Sequence, residues 1–178
     1  MSMPPTNPTY SRRTLVALME DKPGVLSHVS NLFRRRNYNI ESLTVGHSET
    51  PGISRMTVVV LANDAMLEQV AKQLYKLINV TKVTEVYEDD AVIRELALIK
   101  VHAPSEKRAE IKQVADIFRA QIIDVALDSM VIEITGDESK VESLIGILKP
   151  FGIKELTRTG RVAMTRGSLT ASGSRFGS

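Results

Sequence analysis

Asp21-Lys22-Pro23-Gly24-Val25-Leu26 joins a short apolar run, Leu15-Val16-Ala17-Leu18-Met19, to a stretch with helical periodicity. A junction of that kind can hold a small zwitterion. The first N–H groups of a helix have no intrahelical acceptor and carry the positive end of the helix dipole, and a glycine beside them lets a carboxylate reach the backbone. The same residues also make a good plain turn: Pro23 fixes φ, Gly24 takes an open conformation and Asp21 can cap the helix. On spacing alone both readings stand.

Little else in the chain has the residue types for chemistry. The three histidines, His28, His47 and His102, are not paired at metal-ligand spacing, and each falls in an element where a surface or half-buried histidine is the commoner case. There is no cysteine, which excludes disulfides, thiolate metal sites and a cysteine nucleophile. The motifs G-x-G-x-x-G, Walker A, G-x-S-x-G and H-E-x-x-H do not occur, and Asp89-Asp90 reads as a solvated linker. No catalytic residue and no metal site are therefore expected, and the balance moves from enzyme toward binding module. With 23 basic residues interleaved among 21 acidic ones and a net charge of +2, the chain lacks the footprint of a nucleic-acid protein. No apolar run approaches the roughly 20 residues that span a bilayer. The N-terminal MSMPPTNPTYSRR has no apolar core for a signal peptide, so the expectation is no membrane and a cytoplasmic location.

The elements around the junction follow from periodicity. Leu15 to Met19 reads as a central strand buried on both faces. Val25, Leu26, Val29, Leu32 and Phe33 share one face of a helix, with Arg34, Arg35 and Arg36 in its last turn. Those arginines either complement the negative end of the helix dipole from a solvated face or form an anion or nucleic-acid site. Residues 40–47 read as a strand with Leu43 and Val45 on one face and Ile40 on the other, and the β-branched residues 54–62 as a second, inner strand joined to it by a hairpin. Leu67, Val70, Ala71, Leu74, Leu77 and Ile78 form a helical stripe, and residues 83–87 a last strand. After acidic residues 88–90 the order repeats: strand 96–103, helix stripe Ile111, Val114, Ala115 and Phe118, strands 122–127 and 130–135, helix face Val141, Leu144, Ile145 and Leu148, and an extended segment 153–164.

Each half thus predicts a split βαβ unit, and the chain an α+β protein of two ferredoxin-like (βαββαβ) domains with antiparallel sheets and helices on one face. The expected organisation is a flexible tail 1–11, a first domain 12–88, a linker 89–94, a second domain 95–165 and a flexible tail 166–178. At about 80 residues a lone module is marginal, so oligomerisation or docking on a partner is expected. The second half also supplies a control. Its matching junction reads Ala103-Pro104-Ser105-Glu106-Lys107, with a capping serine but no glycine and an acidic side chain where a ligand carboxylate would go.

DKPGVL after an apolar strand resembles the D-x-P-G-x-L signature of ACT domains, small amino-acid-sensing modules. More specifically, FRRRNYNIESLTVG, SRMTVVV, LEQVAKQLYKLINV, RELALIKV and FRAQIIDV, in this order, resemble the regulatory small subunits of acetolactate synthase (acetohydroxyacid synthase), over about residues 12 to 166. The resemblance implies a noncatalytic homodimer, joined through its ACT domains, that binds and activates the catalytic large subunit and makes it sensitive to branched-chain amino acids, chiefly valine. It implies no cofactor on this chain, with thiamine diphosphate, Mg and FAD on the catalytic partner. Carried over by motif, Asp21, Lys22, Pro23, Gly24, Val25 and Leu26 of one copy face Asn39 and Ile40 of the other at the effector site.

In that arrangement the N–H groups around Gly24 to Leu26 take the effector carboxylate, the Asn39 amide and loop carbonyls its ammonium, and Ile40 with Val25 or Leu26 lines an aliphatic slot. One methylene in such a slot is worth only about 1–3 kcal/mol, so valine, leucine and isoleucine are all expected to bind. The alternative is a free-standing amino-acid-binding ACT regulator acting on another enzyme or on transcription, touching nucleic acid through Arg34 to Arg36 and Arg158, Arg161 and Arg166; no helix-turn-helix or RNA-binding signature accompanies it.

Overall fold

The structure is a computed structural model that describes residues 10–167. The chain forms two compact units. One comprises the residues up to Val92 together with those from Ala163 on, and the other residues 93–162.

In the first unit the order is β1 (Ser11–Glu20), α1 (Val25–Arg35), β2 (Ile40–His47), β3 (Ile53–Ala62), α2 (Asp64–Tyr75) and β4 (Val80–Val86). The sheet runs β2-β3-β1-β4, all antiparallel, the ferredoxin-like order that the element pattern predicts. Alternation sorts the side chains. Leu15, Ala17 and Met19 of β1 meet Met56, Val58 and Val60 of β3 under the helices, where Val29 and Phe33 of α1 and Leu67 and Leu74 of α2 close the core. The intervening Thr14, Val16, Thr57 and Val59 are also buried, which is why β1 reads as a continuous apolar run. Burying a large aliphatic side chain contributes about 1.5–3 kcal/mol, so this stripe chemistry is enough to fix the helices on one face.

The second unit repeats the plan. β5 (Ala91–His102), α3 (Arg108–Ile117), β6 (Gln121–Val125), β7 (Ser129–Gly136), α4 (Glu138–Leu148) and β8 (Ile153–Arg158) give the order β6-β7-β5-β8. Its own core gathers Ile99, Ile132 and Ile134 with Ile111 of α3 and Leu144 and Leu148 of α4.

Several expectations need correction. Residues 89–94 are not a loop linker: Glu88–Asp90 is a single 3-10 turn and β5 starts at Ala91. A short last strand, β9 (Val162–Thr165), pairs with β5. The N–H of Arg166 donates to the Asp90 carbonyl at 2.8 Å and its Nε to the Ala91 carbonyl at 2.9 Å. The segment 153–164 is accordingly two strands, separated around Gly160 with φ 83°, and the chain from Ala163 joins the first unit. Ser11 is already in β1, so the N-terminal tail is shorter than predicted; the rest of the two predicted tails, 1–9 and 168–178, lies outside the described residues. α2 stops at Tyr75 because Lys76 and Leu77 donate to carbonyls three residues back, which leaves Ile78 93% exposed. β6 stops at Val125, and Leu127 sits exposed in the hairpin closed by the Ala126 N–H to the Ser129 carbonyl.

Candidate functional site

At the end of β1 the chain leaves the sheet and turns at Gly24, whose φ of 88° and ψ of −15° lie in the left-handed region. Glycine is required there, since an L residue in that conformation brings its Cβ against the backbone at a cost of about 1–2 kcal/mol. Gly24 is the N-cap of α1, and neither Asp21 nor any other side chain caps the helix. The Val25 N–H makes a long 3.4 Å bond to the Lys22 carbonyl, and the first intrahelical bond runs from the His28 N–H to the Gly24 carbonyl at 3.1 Å. The N–H groups of Gly24, Leu26 and Ser27 have no acceptor among the described residues. A Cβ built on Gly24 would meet nothing within 4 Å beyond its chain neighbours, so the space beside Gly24 is open.

The loop's base is fixed by polar contacts. The Asp21 N–H donates to the Gly52 carbonyl at 2.8 Å, and His47 Nδ1 lies 3.2 Å from Asp21 Oδ2, which ties the loop to the β2–β3 hairpin. Glu20 receives the Asn79 amide at 2.5 Å and lies 3.0 Å from Lys22 Nζ. The Asn79 hydrogen bond and then Lys22 hold the Glu20 carboxyl below its usual range. Lys22 is therefore engaged with Glu20, and the free donors of the loop are main-chain groups.

Of the apolar candidates, Val25 is committed to the core beside Val29 and Phe33, whereas Leu26 on the next helical position is 43% exposed. Only Leu26 of the two presents its side chain outward. Ile40 differs from the sequence expectation as well. A bulge at Glu41, between the pairs Ile40↔Val60 and Ser42↔Val59, turns Ile40 onto the core side with Leu43. Asn39 is exposed just before it, placed by a tight helix end in which Asn37 takes φ 54° and the Tyr38 N–H returns to the Phe33 carbonyl at 3.0 Å.

The eight residues do not meet within one chain. Ile40 lies across from Val60 and Arg13, whereas residues 21–26 follow Glu20 at the Ile53 end of the same sheet. That separation is about 23 Å at roughly 3.3 Å per strand residue.

The matching junction in the second unit is built differently: no glycine starts α3, and a cavity beside it is lined by His102, Pro104, Glu106, Lys107, Glu110 and Phe151. Arg108 donates from Nε to the Ala103 carbonyl at 3.2 Å and from Nη2 to those of Ala126 and Leu127 at 2.5 and 2.7 Å. Ser105 does not cap α3 as predicted; the N-cap is Lys107, whose N–H is held by the Pro104 carbonyl. Two residues near the first junction escaped the sequence reading. Val45, expected on one face with Leu43, is 41% exposed because β2 is an edge strand, and His47 holds Asp21. An apolar residue late in an edge strand was the available signal. Among the described residues no group of three or more His, Asp and Glu is placed to hold a metal ion, and no helix is long and apolar enough to cross a membrane.

The family described as the small subunit of acetolactate synthase matches residues 94–167, and that described as the acetohydroxyacid synthase small subunit-like ACT domain matches residues 15–82. The acetolactate synthase small subunit of Mycobacterium leprae is 52% identical over 154 residues, covering 86% of this chain and 91% of that one. This chain belongs to the acetolactate synthase small subunit family. The acetolactate synthase small subunit of Bacillus subtilis is 47% identical over 158 residues, 88% of this chain and 92% of its own. A crystal structure of the acetolactate synthase small subunit from Thermotoga maritima superposes with a TM-score of 0.85 at 46% identity, covering 89% of this chain and 99% of that one. As an acetolactate synthase small subunit the chain is a regulatory subunit in branched-chain amino acid biosynthesis, and its first unit carries the ACT domain.

Proposed function

We propose that the chain is a noncatalytic subunit that binds the catalytic large subunit of acetolactate synthase, raises its activity and confers feedback inhibition by branched-chain amino acids, chiefly valine. Thiamine diphosphate, Mg and FAD belong to the catalytic partner in this reading, and none to this chain; the assembly works in the cytoplasm. The observation that carries it is the Gly24 turn, where three main-chain N–H groups are without an acceptor among the described residues at a positive helix end, while the equivalent turn in the second unit has no glycine.

The effector site forms between two copies. β2 lies at the edge of its sheet, and a sheet edge favours a partner strand. If two β2 strands pair antiparallel about a twofold axis, Ile40 of one copy lies beside His47 of the other, which brings Asn39 and Ile40 to the partner's residues 21–26. The N–H groups of Gly24, Leu26 and Ser27 then take the effector carboxylate, Asn39 and loop carbonyls take its ammonium, and Leu26, Ile40 and Val45 surround the aliphatic side chain. Asp21, Lys22, Pro23 and Val25 shape the loop rather than touch the side chain.

The test is reconstitution. The purified chain is mixed with an acetolactate synthase catalytic subunit, and pyruvate condensation is measured with and without valine. Activation by the chain and inhibition by valine only in its presence are expected. Failure of both would leave the fold and family without this function.

A further inference from the structure

We infer that the exposed face of α1, ending in Arg34, Arg35 and Arg36, is a docking surface for an acidic patch on a protein partner, which under the reading above is the catalytic subunit. The three side chains are exposed and none has a hydrogen-bond or ion-pair partner among the described residues. Arg13, Arg55, Arg108, Arg158 and Arg166, by contrast, all donate to a carboxylate or carbonyl. Arg119, at the corresponding helix end of the second unit, stands alone rather than in a run, on a helix that also carries Glu110 and Asp116.

The helix end does not need them. The carbonyls of Leu32, Phe33 and Arg34 already accept from the N–H groups of Arg36, Tyr38 and Asn37. Nor does the helix balance them, for no acidic residue occurs between Asp21 and Glu41. Charges on the other helices find partners, as Lys72 does with Glu68 at 2.6 Å in α2, Lys112 with Asp116 at 2.9 Å in α3, and Glu138 and Glu142 of α4 with Arg161 and Arg158. Three adjacent uncompensated guanidinium groups repel one another, so an acidic surface that desolvates them gains their full attraction and their bidentate geometry. Arginine is enriched in such interfaces. A protein surface suits the cluster better than nucleic acid because the rest of the α1 face, Ser27, His28, Ser30 and Asn31, is neutral and the chain's net charge is only +2. α1 also begins in the effector loop and ends at this cluster, about 16 Å away at 1.5 Å per residue, so one rigid helix joins the two surfaces.

The test compares the full-length wild type with Arg34→Ala/Arg35→Ala/Arg36→Ala as activators of the catalytic subunit, over about 25–250 mM KCl. The wild type's half-activating concentration rises with salt; the variant's is raised about tenfold or more at low salt and changes little with salt. Elution as a dimer, melting temperature and valine binding by the isolated chain stay as in wild type, which a merely structural role would not allow. Single Arg→Gln variants at 34, 35 and 36 shift activation in the same direction by smaller factors and keep the result readable if the triple variant is unstable. A triple variant with wild-type half-activation and salt dependence overturns this inference and leaves the regulatory reading intact. A wild type that activates at no concentration sinks both. Loss of duplex DNA retardation with activation unchanged would assign the cluster to nucleic acid instead.

Discussion

Gly24 carries the account at the level of single residues because two independent constraints meet there: a left-handed φ of 88° and the absence of any atom beyond its chain neighbours within 4 Å of a Cβ placed on it. Gly24→Asp puts a carboxylate where the proposed site would take the effector's carboxylate and adds backbone strain of about 1–2 kcal/mol. Asn39→Ala removes the proposed ammonium partner from an exposed position with no core cost. Each is expected to raise the valine concentration for half-inhibition about tenfold or more, while the fold-activation of the catalytic subunit changes less than about twofold. A second residue-level prediction concerns stability. Asp137 caps α4, and its carboxyl is held below the usual range first by the Lys140 backbone N–H and then by the Ser139 hydroxyl. Asp137→Ala should cost about 1 kcal/mol at pH 7 in denaturant melts. Because the folded-state pKa is depressed, that advantage is complete above the unfolded value of about 3.9 and fades as pH falls through the folded one, so wild type and variant converge below about pH 4. The glycine turn and the inward phase of Val25 with Val29 and Phe33 could be read from the sequence. The exposure of Leu26, expected on that same face, could not, since it sits at the margin of the apolar stripe.

Among the elements, β2 is the one whose edge position matters most. Its last third leaves the core, with Val45 exposed on the same face as half-buried Leu43. Val45→Lys places a charge on that edge and is expected to raise the dissociation constant of the proposed dimer about tenfold, or ~1.4 kcal/mol, as read by light scattering over a dilution series. An unchanged dissociation constant would mean that the copies meet elsewhere. Helices were legible because apolar residues three and four apart have one outcome, and the hairpins because β-branched runs flank turn residues. The bulge at Glu41 was not, since a single inserted residue leaves no mark on composition while it turns Ile40 to the core. β9 was equally hidden, as what makes a strand of residues 162–165 is pairing with β5, more than sixty positions earlier in the chain.

At the scale of the whole molecule, one plan is used twice with different ends. Both first helices close with a non-glycine residue at positive φ, Asn37 and Arg119, yet only the first unit starts that helix at an open glycine turn. The repeat was visible as a pattern of elements. The return of the chain from Ala163 to the first unit was not, because pattern says nothing about which unit a short strand joins. The separation of residues 21–26 from Asn39 along the sheet means that the proposed site needs two copies, and this is the claim most open to direct test. Dimers are formed from equal amounts of Gly24→Asp and Asn39→Ala chains, each weakened in valine binding when alone, and valine binding is measured by calorimetry. In a mixed dimer one pocket collects both substitutions and the other collects none. With half the dimers mixed, about a quarter of all pockets should bind valine with wild-type affinity. A mixture that binds no more valine than either variant alone would contradict the shared pocket and place each site within a single chain.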